Sequence, residues 1–166
     1  MIIFTPNTVI RSTDVNSNFS EVATIQAQVN PYKFSVYRTA AYATVANTWT
    51  KYPFNLEKYD INNNFDITTN TYTVPITGYY FFTGRMNMEQ SGMGRGIISI
   101  WSSGSELLRG VDFSTTTGSQ FLIPIVTGIL YLTTGTSIEL RYYDSVASTP
   151  ATTDITTYFM GHLLSV

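Results

Sequence analysis

The one histidine of this chain, His162, stands in "YFMGHLL" beside Gly161 and bounds the acid–base chemistry available to it. A Ser-His-Asp triad would have to recruit that imidazole. No G-x-S-x-G elbow accompanies it, and the nearest shape, "SSGSE" at Ser102 to Glu106, lacks the flanking strand and helix that present a nucleophile. A single histidine inside a strand reads as structural. Carboxylates Glu57, Asp60, Asp66, Asp112, Asp144 and Asp154 are of the type that cleaves glycosides when two face one sugar, but acids among Asn and Thr in turns usually cap their own backbone. "GMGRG", Gly92 to Gly96, has glycines but neither a Lys nor a following helix, which argues against a phosphate loop. No loop alternates acids as a calcium site does. With zero cysteines, disulfides, zinc–thiolate centres and thiol nucleophiles are excluded together. The expectation is a non-enzyme with no catalytic residue, metal or cofactor. Carbohydrate binding stays open, because sugars are held on aromatic faces with amide and hydroxyl partners. Trp49, Trp101 and Tyr143, and the Asn62–Asn64 turn, are of suitable types, and the three aromatics are the candidate glycan contacts; the alternative is that both tryptophans are half-buried structural residues.

The elements that must carry these residues follow from composition and pattern. The 166 residues suit one main domain with a short appendage. Only 12% are charged, about half the usual share, so the surface must be largely Thr, Ser, Asn and Tyr. The net charge is −2 and the nine Lys and Arg are scattered, which excludes a phosphate-neutralising patch and makes nucleic acid an unlikely partner. The longest apolar stretch, Phe121 to Leu132, is interrupted by Pro124, Thr127 and Gly128 and falls short of a membrane span. "MIIFTPNTVIR" has no basic region ahead of its brief apolar start, so it does not read as a signal peptide and synthesis in the cytoplasm is expected.

The pattern changes once, near Pro31. Before it, Val15, Phe19, Val22, Ile25 and Val29 make the stripe of an amphipathic helix, with Ser12, Thr13 or Asp14 to cap it and Pro31 to end it. About four turns long, this helix is weak alone and needs a partner, either its own domain or copies of itself. After Pro31 the chain reads as short runs rich in β-branched and aromatic residues, punctuated by turns such as Ser103-Gly104, Thr117-Gly118 and Thr134-Gly135. The expected organisation is an anchor and helix over residues 1–31, then an all-β antiparallel sandwich over residues 32–166.

Two of its strands raise a question. In "SIELRYYD" Ile138, Leu140 and Tyr142 alternate with Ser137, Glu139, Arg141 and Tyr143, as a strand with one wet face should. "GYYFF", Gly78 to Phe82, and "TTYFMGHLL" are apolar on both faces. One face of each packs on the opposite sheet; the other needs a cover, because monomers rarely tolerate a large bare apolar patch. A second subunit is the expected cover, with Tyr80, Phe82, Tyr131, Tyr142 and Phe159 as candidates for the interface. The alternative is the chain's own long loops.

The same residues carry a resemblance. "FDITTNTYTVPITGYYFF" resembles the signature of the complement globular-head family, relatives of the tumour-necrosis-factor jelly rolls. The matching positions are Phe65 and Asp66, then Thr69 to Thr73, then Pro75, Gly78, Tyr80 and Phe82. "LYLTTGTSIELRYYD" is similar to the family's hairpin around a glycine, here Gly135. "YFMGHLL" is similar to its final strand, with Phe159, Gly161 and Leu163 alternating. The likeness covers roughly Lys33 to Val166 and implies a jelly roll of about ten strands that assembles as a homotrimer through aromatic faces. The collagen-like repeat of the animal family is absent from this sequence. In its place, "FTPNTVIRSTDVNSNFSEV" is similar to the attachment segments of bacteriophage fibre and tail-appendage proteins, which implies that Ile3 and Phe4 insert into another virion protein. Together these imply a homotrimeric head fibre or capsid decoration protein on the virion surface, adhering to a host. The rivals are a tail receptor-binding protein, a cell-encoded lectin or cytokine-like ligand, and lastly a glycan-degrading enzyme.

Overall fold

The structure, a computed structural model, describes residues 12–29, 32–90, 94–116, 120–150 and 152–166. By its internal contacts the chain divides into residues 1–31 and residues 32–166. The described part of the first unit is helix α1 (Ser12–Val29). Its polar start suits a helix N-terminus, and the hydroxyls of Ser17 and Ser20 donate back to the carbonyls of Thr13 and Asn16 at 2.9 and 3.0 Å. Val15, Phe19 and Val22 are all exposed. Ile3 and Phe4, the expected insertion residues, lie outside the described residues, as do the side chains of Ile25 and Val29.

The second unit is an antiparallel sandwich. Its described strands are β1 (Lys33–Tyr37), β2 (Thr50–Lys51), β3 (Leu56–Asp60), β4 (Phe65–Asp66), β5 (Thr71–Thr73), β6 (Gly78–Arg85) and β7 (Met88–Gln90). They continue with β8 (Arg95–Ser102), β9 (Ser105–Arg109), β10 (Phe113–Ser114), β11 (Gln120–Leu122), β12 (Ile125–Leu132), β13 (Ser137–Asp144) and β14 (Tyr158–Ser165). One sheet runs β12-β6-β14-β1-β3. The other runs β10-β8-β13-β5-β4, with β9 added beside β8 and β2 beside β13, while β7 and β11 form a separate ribbon. This is the jelly roll expected, with more strands than ten because β2, β4 and β10 are two-residue pieces whose sequences carry little periodicity. Ser103 and Gly104, at φ 48° and 82°, close a tight hairpin between β8 and β9, a conformation in which both central residues need positive φ. The expected hairpin around Gly135 is corrected: β12 pairs with β6 and β13 with β8, so the Gly135 turn (φ 84°) carries the chain from one sheet to the other.

The core between the sheets is an aromatic lattice. Phe34 stacks on Tyr72 (ring centroids 4.5 Å) and Phe65 (5.2 Å) and meets Phe159 edge-on at 5.1 Å, and Phe82 stacks on Phe159 at 5.9 Å. Such pairs add about 0.5–1.5 kcal/mol each beyond area burial. A Cβ at Gly161 would sit 2.4 Å from Cδ1 of Phe82, so only glycine lets this ring seat against β14. Four of the five expected interface residues are here. Tyr80, Phe82, Tyr142 and Phe159 are 0% exposed within one protomer, and Tyr80 donates its hydroxyl to the Ile76 carbonyl at 2.8 Å. They are corrected from subunit contacts to core residues, because they hold the inward positions of β6, β13 and β14. Burial likewise pushes the phenols of Tyr52 and Tyr72 far up. At the sandwich's rim the buried Asp144 accepts from Thr44 Oγ1 (2.7 Å) and Ser148 Oγ (2.5 Å), pinning two loops 100 residues apart.

Candidate functional site

With the core phase fixed, the outward positions of the five-stranded sheet can be read row by row. Ile129, Phe81, His162 and Lys33 face each other across β12, β6, β14 and β1. On one side lies the pair Tyr131 and Tyr79, with rings 5.0 Å apart. On the other come Thr127, Thr83, Met160, Ser35 and Tyr59, then Ile125, Arg85, Tyr158, Tyr37 and Leu56. Phe81 and His162 are in ring contact at 5.5 Å. Ile129 and Tyr131 are 59% and 60% exposed and Tyr79 is 49% exposed, so no described loop of this protomer covers them. Tyr131 is thus the one expected interface residue that the structure places on an outer face. Burial, and then the charge of Lys33, lower the pKa of His162, favouring the neutral ring.

Sequence reasoning chose the wrong parity here. A signal was present: in "GYYFFTGR", Thr83 and Arg85 share parity with Tyr79 and Phe81, whereas the close-packing Gly78 and Gly84 share it with Tyr80 and Phe82. The two-faced character itself is real, since both parities of β6 carry aromatic side chains.

The seven-stranded sheet has a different outer face. Trp49, from the loop before β2, lies 5.6 Å from Trp101 on β8 and 5.7 Å from Tyr143 on β13, so the three candidate glycan contacts, separated in sequence, form one cluster. Each ring is also flanked by a guanidinium: Arg141 at 4.7 Å from Trp101, Arg109 at 5.6 Å from Trp49 and Arg95 at 5.8 Å from Tyr143. Each guanidinium is in turn held by an acid, Arg95 by Asp112, Arg109 by Glu106 and Arg141 by Glu139, which also binds Lys51. The ion pairs hold the carboxyls of Asp112 and Glu106 below their ordinary range. Trp101 Nε1 donates to Ser99 Oγ at 2.8 Å and the Tyr143 hydroxyl to Asn47 Oδ1 at 3.2 Å. Ile97 and Ser99, outward in phase between the core residues Ile98 and Ile100, are only 2% and 0% exposed. This face has its own cover.

The other acids are tied into the fold. Asp60 accepts from the Phe65 amide at 2.7 Å, Asp66 from the Thr68 amide at 2.7 Å and the Thr69 hydroxyl at 3.0 Å, and Asp154 pairs with Lys58 at 2.9 Å. The hydrogen bonds to Asp66 lower its pKa. Burial and the charge of Asp60 raise that of Glu57 on β3. Among the described residues no three His, Asp or Glu side chains are grouped to hold a metal ion, and no helix is long and apolar enough to cross a membrane.

The fold has counterparts among solved structures. The globular domain of zebrafish complement 1qA protein aligns over 80% of this chain and 97% of its own, at 20% identity and a TM-score of 0.57. The Eiger TNF from S. frugiperda aligns over 82% and 94% at 9% identity with a TM-score of 0.64. Murine APRIL at pH 5.0 aligns over 81% and 100% at 12% identity with a TM-score of 0.61. No curated protein matches the sequence. The C1q domain profile matches residues 33–164, almost the whole sandwich from β1 into β14. This chain therefore belongs to the C1q domain family, built on the jelly roll it shares with the tumour-necrosis-factor-like proteins.

Proposed function

We propose that the chain is a structural, non-enzymatic display protein that assembles as a homotrimer through the outer face of its five-stranded sheet. The observation that carries this reading is the exposed set Tyr79, Ile129 and Tyr131, with the half-buried Phe81, Met160 and His162 beside it, on the outer face of one sheet. Domains of this family are typically ligand-binding modules that commonly form trimers. A ring of three, in which each copy lays part of its surface on this face of the next, closes without leaving an open end. A stable interface needs about 800 Å² from each partner, within reach of a five-stranded face. Light scattering on the full chain should give three times the chain mass; a monomer that stays soluble at high concentration would refute the reading.

In the fuller form of the proposal the trimer is a head fibre or capsid decoration protein on a virion surface. The N-terminal segment within residues 1–31, led by Ile3 and Phe4, would attach to another virion protein of capsid or tail and the heads would adhere to the host. The support is the likeness of the N-terminal segment to phage attachment segments. Three heads on one axis, repeated over a particle, would raise avidity without any one site being tight. Purified particles should contain the full chain and lose it when residues 1–30 are deleted; equal incorporation of the shortened chain would remove the anchor. A glycan-binding, lectin-like role is the second reading, favoured by the convergence of Trp49, Trp101 and Tyr143. Binding of neutral glycans on an array, lost in Trp49→Ala, would support it.

A further inference from the structure

A second apolar surface is uncovered, on the other unit of the chain. In α1, Val15, Phe19 and Val22 are 36%, 69% and 49% exposed, although they are the apolar stripe that should stabilise the helix. Eighteen residues of helix span about 27 Å, and a helix this short with a bare stripe is marginal in water.

The spacing identifies what covers the stripe. Counting from Ser12, positions 12, 15, 19, 22, 26 and 29 step by three, four, three, four and three; Val15, Phe19, Val22 and Val29 are the apolar ones among them, and Ile25 of the stripe falls beside this line. That is a 3.5-residue repeat, the period of a left-handed coiled coil rather than of a helix lying on a globular surface. Ser12, Phe19 and Gln26 then occupy a positions, and Val15, Val22 and Val29 occupy d positions. The only charged residues of α1, Asp14 and Glu21, both occupy c, away from the seam. The flanking e and g positions are Asn16 and Ala23, and Asn18 and Ile25, so no like charges oppose identical helices side by side. Two-stranded coils favour Leu at d, whereas β-branched residues there shift the preference to three or four strands.

We propose that α1 packs against α1 of two further copies as a parallel three-stranded coiled coil, with the exposed Val15, Phe19 and Val22 in its seam. The inference rests on the trimer reading. Cyclic symmetry makes three identical helices run the same way, and tethering to an assembled head raises their local concentration to the millimolar range, which offsets the weakness of a short coil.

The absence of native cysteine makes a direct test clean. Full-length Val22→Cys (d) and Ser17→Cys (f, exposed) are each oxidised mildly and run without reductant, alongside light scattering of the reduced proteins. The expected result is trimer mass for both and on the order of tenfold more disulfide-linked dimer for Val22→Cys, because only seam positions bring the Cβ atoms within bonding reach. Trimers in which Val22→Cys links no better than Ser17→Cys would overturn the coiled coil and leave the head trimer standing. Monomers of the native chain would overturn both. If Val22→Cys itself fails to assemble, Val15→Cys (d) against Ser20→Cys (b) supplies the same contrast: preferential linking at Val15→Cys supports the coil, and equal linking overturns it.

Discussion

The two sheets of this sandwich share one core and treat their outer faces in opposite ways. On the seven-stranded sheet every outward aromatic residue of the Trp49 cluster is interleaved with a guanidinium, each guanidinium is closed by a carboxylate, and the Trp101 indole and the Tyr143 phenol have acceptors. On the five-stranded sheet the central row is Ile129, Phe81, His162 and Lys33, with tyrosines beside it and most of the aliphatic surface bare. Hydrophobic content alone does not separate the two, since the closed face carries two tryptophans. What separates them is whether the chain supplies partners. A face that supplies its own is finished at the level of the protomer, and the one that does not is the face on which the proposed trimer would assemble.

Breaking the shared core should erase the contrast altogether. Phe82→Ala removes a ring 0% exposed between the sheets and should cost about 3–5 kcal/mol, read as a large fall in the denaturant midpoint; a fall no larger than that of a surface variant would return Phe82 to the interface. Next in size is a charge on the open face. Ile129→Asp should reduce the trimer to folded monomers with unchanged near-ultraviolet dichroism, whereas Arg141→Glu on the closed face should leave the mass at three chains. Reversal of those two results would exchange the roles of the faces. Trp49→Ala should destabilise by about 2 kcal/mol without altering the mass, because it removes the ring that lies against Trp101, Tyr143 and Arg109 within one protomer.

A smaller effect comes from pH. Burial and Lys33 give His162 a lower pKa when folded than its ordinary value of 6.5, so the folded chain binds the proton less readily than the unfolded chain. Stability is then fully present above that value and declines as pH falls through about 6.5 toward the lowered folded value. Covering the face should deepen the effect. His162→Gln should flatten the acid limb of the melting profile, and an unchanged limb would assign the loss to other groups. Least of all, Asp154→Asn breaks only an exposed pair with Lys58 and should move stability by less than about 1 kcal/mol.

How much of this was legible beforehand depended on whether parity was unambiguous. In β13 the run Ile138, Leu140, Tyr142 against Glu139, Arg141 announces its own phase, and all three apolar residues are buried. In β6 both parities are aromatic, and the minor clues, Thr83 and Arg85 outward and Gly84 inward, were needed to break the tie. The existence of a two-faced strand could be read; which residues look outward could not be read from the aromatics alone. The Trp49 cluster was legible as a set of residue types, but its ladder of arginines and acids depends on cross-strand register, with Arg141 opposite Ser99 and Ser99 opposite Arg109, which no local pattern encodes. The Gly135 turn reads locally like a hairpin. Only the pairing of its flanking strands with different partners reveals a step between sheets.

The last strand lies not at an edge but in the middle of its sheet, between β6 and β1. Until synthesis reaches Tyr158–Ser165, β6 and β1 have no neighbour to join them, and Phe34 and Phe82 lack the Phe159 ring that lies against both. The same eight residues bring Met160 and His162 to the open face. Closure of the sandwich and completion of the open face are therefore one event, set by the pairing of β14. A chain cut short before Tyr158 leaves a gap at the centre of the sheet.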